Sequence, residues 1–174
     1  KTYSKHIVIS VLRLFNICYT SDYVQKLLDE NSDVTKDTVI VLRGYGPVGA
    51  PGMPENGNYM PLPPKLNREG VKDFVRITDS RMSGGCFGTQ VLHVAPESAV
   101  GGPLAAVRDG DIIHLDVDNN LIELEISEEE MQKRLAQVKP KEHKDIKRGF
   151  VRNFIDNVTQ ADEGCDLTYM QYVD

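Results

Sequence analysis

The chain has 174 residues, a formal net charge of −6, 40% hydrophobic residues and 26% charged ones. That length suits one domain with a real core, and the fractions are ordinary for a soluble globular protein. The acidic balance, with no basic stripe carrying interleaved aromatics, argues against a nucleic-acid partner, and no apolar run reaches the roughly 20 residues that span a bilayer. Cys18, Cys86 and Cys165 lie far apart without CxxC spacing, which disfavours a disulfide framework or a zinc site and favours a reducing compartment. A cytoplasmic location is expected, with an organelle matrix as the alternative.

Residues 1–19 are apolar and partly β-branched, so strand and helix remain open there; Arg13 and Asn16 break the run, and no small-residue cleavage site follows. Ser21 is positioned to cap a short helix over 22–31, with Tyr23, Val24, Leu27 and Leu28 on one face. TVIVL (38–42) reads as a buried strand. Residues 44–64 are dense in Gly and Pro, a long loop of the kind that is functional or disordered. A short helix is predicted over 65–71 and a buried strand over 74–77.

Residues 89–94 form an apolar segment, and Pro96-Glu97 can open a helical turn. Asp109-Gly110 marks a turn. Residues 111–117 and 121–126 alternate around Asp118-Asn119-Asn120, the pattern of a β-hairpin. SEEE (127–130) is a capping box before Met131, Leu135 and Val138, and Pro140 is expected to end that helix. The Lys- and Glu-rich stretch to Arg148 reads as a solvated connection. A last helix is predicted over 150–161, with Val151, Phe154, Ile155 and Val158 at helical spacing. No repeat or low-complexity tract is present.

The stretch most able to carry chemistry is TDSRMSGG (78–85), just past the strand at 74–77. Its glycines let the backbone bend and leave N–H groups open to an anion. Arg81 can hold a carboxylate. Ser83 reads either as a serine in a tight turn or as a reactive hydroxyl supported by N–H donors from Gly84 and Gly85. Upstream, Glu55 ends the Gly-Pro loop as either an exposed carboxylate or a hard oxygen ligand suited to magnesium. Asp79 reads as a turn or capping residue and His93, in an apolar run, as a core histidine. Cys86 is either reactive or a small buried residue beside the site. His6, His114 and His143 form no metal-binding set. The turns at 101–103 and 108–110 read as architectural. A serine hydrolase fits poorly, since there is no GxSxG elbow and no histidine partner.

GPVGAPGMPE (46–55), GNYMPLPPKL (57–66), TDSRMSGG (78–85) and HVAPESAVGGPLAAVRDGDII (93–113) occur in that order. Together they resemble the dihydroxy-acid and sugar-acid dehydratase family, which also includes phosphogluconate dehydratase. RGFVRNFIDNVTQADEGCDL (148–167) looks more like the sugar-acid branch, such as arabinonate and xylonate dehydratases. The resemblance spans residues 39–167.

It implies a single carboxy-terminal domain over 1–174, of α+β class and rich in β. The expected architecture is a swivelling β-barrel flanked by helices, similar to the mobile domain of aconitase. It implies a hydro-lyase that turns a 2,3-dihydroxy carboxylate into a 2-keto acid, in sugar-acid metabolism or branched-chain amino acid biosynthesis. On the matching positions, Ser83 is the base that takes the C2 proton, and Glu55 is a magnesium ligand. Gly84 and Arg81 are candidate substrate-binding residues, with Arg81 better suited to shaping the loop. An iron–sulfur cluster belongs to the complete enzyme, its ligands on an amino-terminal domain without counterpart here; Cys18, Cys86 and Cys165 do not stand in for them. Residues 1–19 do not resemble the family segment, and Gly85-Cys86 mixes the two branches. The implied partners are that amino-terminal domain or chain, a small-molecule substrate and further copies of the complete enzyme. The isolated chain is expected to be inactive. The rival reading is a non-catalytic small subunit or assembly module docking on a separate cluster-bearing chain.

Overall fold

Strand β2 (Thr38–Leu42) is buried along its whole length. Val39 and Val41 enter one hydrophobic cluster, and Ile40 and Leu42 enter another. A strand covered on both faces needs no polar alternation, which is why TVIVL reads as an unbroken apolar run. The computed structural model describes residues 2–11, 22–56, 61–84 and 88–170.

Around β2 the chain builds one six-stranded sheet from β1 (Thr2–Val11), β3 (Arg76–Thr78), β4 (Gln90–Val91), β5 (Ile112–Asp116) and β6 (Leu121–Leu124). Their order is β4-β3-β2-β1-β5-β6. Neighbours from β4 through β1 run parallel, whereas β5 pairs antiparallel with β1 and β6 antiparallel with β5. β4 and β6 end this order, and the described strands form no closed barrel. Residues 2–11 thus resolve the early strand-or-helix ambiguity as strand, while the Ser21 cap lies outside the described residues.

One cluster joins Val39, Val41, Val75 and Ile77 to Leu104, Val107, Ile113 and Leu115. The other lies across the sheet, where α1 (Asp22–Leu28) and α2 (Pro64–Arg68) place Leu27 and Leu66 beside Val34, Ile40, Leu42 and Phe74. Fully burying such a side chain contributes about 1.5–3 kcal/mol. The β5–β6 hairpin forms as predicted. Asp116 accepts the N–H groups of Asp118 and Asn119, and Asn120 turns the chain at φ 52°. Helix α3 (Glu128–Leu135) begins at its cap, with Ser127 Oγ accepting Glu130 N–H at 3.2 Å. Arg134 docks it through a 2.6 Å ion pair to Asp111.

Several boundaries differ from expectation. The helix predicted over 65–71 spans only Pro64–Arg68. α3 stops at Leu135, well before Pro140, because Gln137 and Val138 donate to Arg134 and Leu135 in tighter three-residue turns. The final helix, α4 (Phe150–Asn157), ends short of 161 because Val158 instead pairs with Leu167 in an isolated bridge. The ladder of β3 begins at Arg76, after buried Phe74 and Val75. The stretch before Arg148 is more than a solvated link. Lys141 N–H donates to Ala99 O at 3.0 Å, Lys141 Nζ bonds the Gly49 carbonyl, and His143 Nε2 bonds the Val48 carbonyl at 2.7 Å.

Because β2, β3 and β4 run parallel, their carboxyl ends open on the same side of the sheet. In sheets of this kind, ligands bind outside those ends. The segment after β2 carries Glu55, and the segment after β3 carries Ser83.

Candidate functional site

The site is held together from beneath by buried charges. Asp79, one residue past β3, is fully buried. Its carboxylate accepts Gly44 N–H and Tyr45 N–H at 3.0 Å each, and Ser98 N–H and Oγ–H at 3.0 and 2.6 Å. Four donors offset the cost of burying a carboxylate. Asp79 therefore joins the ends of β2 and β3 to the 3-10 turn Ser98–Val100, a wider role than the turn or cap its sequence setting indicates. Arg43, at the end of β2, sends Nη1 to the carbonyls of Leu104, Ala105 and Val107. Burial, then repulsion from Arg108, lowers its guanidinium to about 10.

Glu97 is the second buried carboxylate, 1% exposed. Its oxygens accept Val48 N–H and Gly49 N–H, each at 2.7 Å. Successive loop N–H groups make an anion nest, and Glu97 fills it. The loop must approach closely to do so: a Cβ on Gly46 would lie 2.5 Å from Glu97 Oε2, and one on Gly49 would lie 2.7 Å from the Gly44 carbonyl. Gly102 is tighter still, with a Cβ 1.7 Å from Pro96 O. Burial raises the Glu97 carboxyl above its ordinary value, opposed by the bonds from Val48, Gly49 and Gln160.

Above this base, the two sequence-predicted segments meet. Ser83 N–H donates to Glu55 Oε1 at 3.1 Å. Arg81 Nε donates to Met53 O at 2.6 Å, Asn56 N–H to Arg81 O at 3.1 Å, and Ser80 Oγ–H to Pro54 O at 3.3 Å. Arg81 Nε thereby ties the segment after β3 to the loop that carries Glu55. Ser83, Gly84, Arg81 and Glu55 are all exposed on the rim. The N–H that meets a carboxylate is that of Ser83; Gly84 stands beside it with open space around its Cα. Gly85 and Cys86 lie outside the described residues.

Strained backbone gathers here too. Met53, His93 and Cys165 are non-glycine residues at φ 43°, 54° and 54°, and such conformations concentrate at functional sites. Met53 Sδ and Cys165 Sγ are 3.4 Å apart, and His93 N–H donates to Ser80 O at 3.0 Å. The expectation of a core histidine fails: His93 is exposed, because its left-handed backbone turns the chain out of β4. Sequence reasoning also passed over Glu97 and Gln160. The available signal for Glu97 was a lone charge in the otherwise uncharged stretch 94–107.

Among the described residues, no group of three or more His, Cys, Asp or Glu could hold a metal ion. Glu55 offers the candidate site an exposed carboxylate, with Oε1 engaged by the Ser83 N–H. A single such donor fits magnesium, which binds through one or two carboxylates and completes its shell with waters and substrate oxygens. An iron–sulfur cluster needs several thiolates. Cys165, half-buried against Met53, is the one cysteine among the described residues and provides no such set. No helix among the described residues is long and apolar enough to cross a membrane.

Residues 13–165 match the family described as "Dihydroxy-acid/6-phosphogluconate dehydratase C-terminal", and the chain belongs to that family. The match begins at residue 13, upstream of the resemblance seen over 39–167, so residues 13–19, expected not to resemble the family, fall within it. The chain is 52% identical over 153 residues to an L-arabonate dehydratase of Azospirillum brasilense, covering 85% of this chain and 26% of that protein. It is 51% identical over 149 residues to a 6-deoxy-6-sulfo-D-gluconate dehydratase of Pseudomonas putida, covering 85% and 25%. It is 38% identical over 135 residues to a dihydroxy-acid dehydratase of Saccharolobus islandicus, covering 78% and 24%. The chain spans about a quarter of the length of these curated relatives.

Proposed function

We propose that this chain is the carboxy-terminal part of a hydro-lyase acting on a 2,3-dihydroxy carboxylate, with sugar acids as the favoured class. Ser83, as the alkoxide, takes the proton from C2. The C3–O bond breaks, and the leaving hydroxide takes up a proton to depart as water, which balances the one removed. The resulting enol tautomerises to the 2-keto acid. The observation that carries this reading is the hydrogen bond between Ser83 and Glu55, made by two segments whose sequences belong to a dehydratase family.

The local electrostatics explain why the chain's own residues do not complete the site. An alkoxide on Ser83 would stand beside the Glu55 carboxylate, and like charges at short range disfavour ionisation. The guanidinium of Arg81, tied to the Met53 carbonyl, shapes the loop instead. Magnesium bound at Glu55 would reverse the sign of that field and make a C–H beside a carboxylate more acidic. Ser83 and Glu55 then act as a pair, one accepting the proton and one holding the positive charge. The role assigned to this chain in the reaction is proton abstraction, with the Lewis acid for the departing hydroxyl supplied by the rest of the enzyme. The rest of the enzyme closes over the exposed rim, with this domain in a swivelling arrangement.

The test is a graft. The chain replaces the matching quarter of the Azospirillum brasilense L-arabonate dehydratase, and dehydration of L-arabonate is assayed beside the isolated chain. Turnover by the folded graft, with none by the isolated chain, supports the reading. A folded, cofactor-loaded graft without turnover, or strong turnover by the isolated chain, contradicts it.

A further inference from the structure

The loop bearing Glu55 is gripped from a part of the chain remote in sequence. Gln160 forms a two-bond pair with Glu97: Glu97 N–H donates to Gln160 Oε1 at 2.7 Å, and Gln160 Nε2 donates to Glu97 Oε1 at 3.2 Å. That pairing orients the carboxylate whose oxygens hold Val48 and Gly49. Five residues on, Cys165 Sγ meets Met53 Sδ at 3.4 Å. Gln160 and Cys165 are fixed relative to each other, since Gln160 O accepts both Glu163 N–H and Cys165 N–H at 3.1 Å. The loop is similarly compact between its two grips: Ala50 N–H donates to Gly46 O at 2.9 Å, and Met53 N–H to Ala50 O at 2.8 Å. Two successive turns thus link the Val48–Gly49 bend to Met53, two residues before Glu55.

We infer that residues 160–165 act as a brace for the candidate site, with Gln160 and Glu97 as positioning residues that set Glu55 against Ser83. The brace works through geometry. Gln160 aims Glu97, Glu97 fixes the Gly46–Gly49 bend, and the bend carries Glu55 within reach of the Ser83 N–H. Glycine at 46 and 49 is what lets the carboxylate sit so close to the loop. The catalytic meaning of the brace rests on the proposed roles of Glu55 and Ser83, whereas the placement it enforces can be measured on the chain itself.

The test is nuclear magnetic resonance on the full chain, following the amide resonances of Val48, Gly49 and Ser83. Glu55→Ala removes the acceptor and defines the position of the Ser83 amide without its carboxylate. Gln160→Met keeps side-chain length but removes both bonds to Glu97 at a half-buried position, and the unmoved amides of Ile113 and Leu115 report that the variant folds. The expected result is that Val48 and Gly49 shift, and that the Ser83 amide moves at least halfway toward its Glu55→Ala position. The amides of Ile113 and Leu115 stay in place. Glu97→Gln, which sets an amide N–H against a loop N–H, gives an equal or larger movement if it folds. A Ser83 amide unmoved in Gln160→Met overturns the inference, as does a Val48–Gly49 pair that does not respond. Neither outcome depends on turnover by the graft, so failure of the brace and failure of the dehydratase reading are separate results.

Discussion

Ser83 donates its backbone N–H to Glu55 Oε1 at 3.1 Å across 28 positions of sequence. The bond spans the two loops that leave the carboxyl ends of β2 and β3, and it rests on a floor of buried carboxylates. The contact is exposed and contributes little to stability by itself. Its geometry is imposed by what lies beneath, and the predictions follow from that division.

Asp79→Asn replaces an acceptor-only group that serves four bonds with one that presents N–H to N–H. Leaving buried donors unmatched costs about 1–3 kcal/mol, more where a charge is involved. We expect a loss of about 3 kcal/mol in urea unfolding, with the slope unchanged. A loss below about 0.5 kcal/mol would mean that Asp79 does not join the loops.

Two glycines should behave in opposite ways. Gly102→Ala drives a Cβ to 1.7 Å from a backbone oxygen, which a flexible side chain cannot relieve. Overpacking of this kind costs about 1–3 kcal/mol or more. Gly84→Ala meets open space and should stay within about 0.5 kcal/mol of the parent. Thermal unfolding of the two variants side by side checks both expectations.

The Glu97 carboxyl titrates above the ordinary carboxylate range because burial disfavours its charged form. The sign follows from proton linkage. Between the unfolded and folded values the native state holds more protons at this group than the unfolded state, so its contribution to stability falls as pH rises through that window and is constant above it. Carbon-13 titration of the Glu97 carboxyl should give a midpoint above 4.5. A midpoint at or below that value contradicts the assignment.

Removing the Arg134 guanidinium should loosen α3 from the sheet. Its Nη1 bonds both Asp111 at 2.6 Å and the Ala106 carbonyl at 3.2 Å, with both ion-pair side chains largely buried. Arg134→Met should cost about 1–3 kcal/mol, as loss of hydrogen bonds to a charged group does. Amide exchange should speed up across 128–135 before it does in β2.

Legibility in the sequence followed locality. TVIVL was readable because burial on both faces leaves an uninterrupted apolar run, and the Ser127 cap because its bond spans three residues. The β5–β6 hairpin was readable because Asp116 and its turn are contiguous. Ser83 and Glu55 stood out as candidates because Gly-rich loops and strand ends mark places where chemistry can sit, and family motifs raised them further. Asp79 was underread and Glu97 missed for one reason: their partners lie at 44–49, 98 and 160, and no spacing rule links such positions. His93 was misjudged because its apolar neighbours say nothing about a left-handed backbone. The carboxylate floor exists only in three dimensions.

The central claim is that the Ser83 hydroxyl is the base on C2, and it is tested most directly by Ser83→Ala in the L-arabonate dehydratase graft. The backbone N–H to Glu55 survives that change, so magnesium dependence and substrate binding should persist. The account predicts that kcat falls by at least about a hundredfold, as loss of a positioned acid–base group does, with KM little changed. Turnover within a few-fold of the parent graft would contradict it and favour the assembly-module reading.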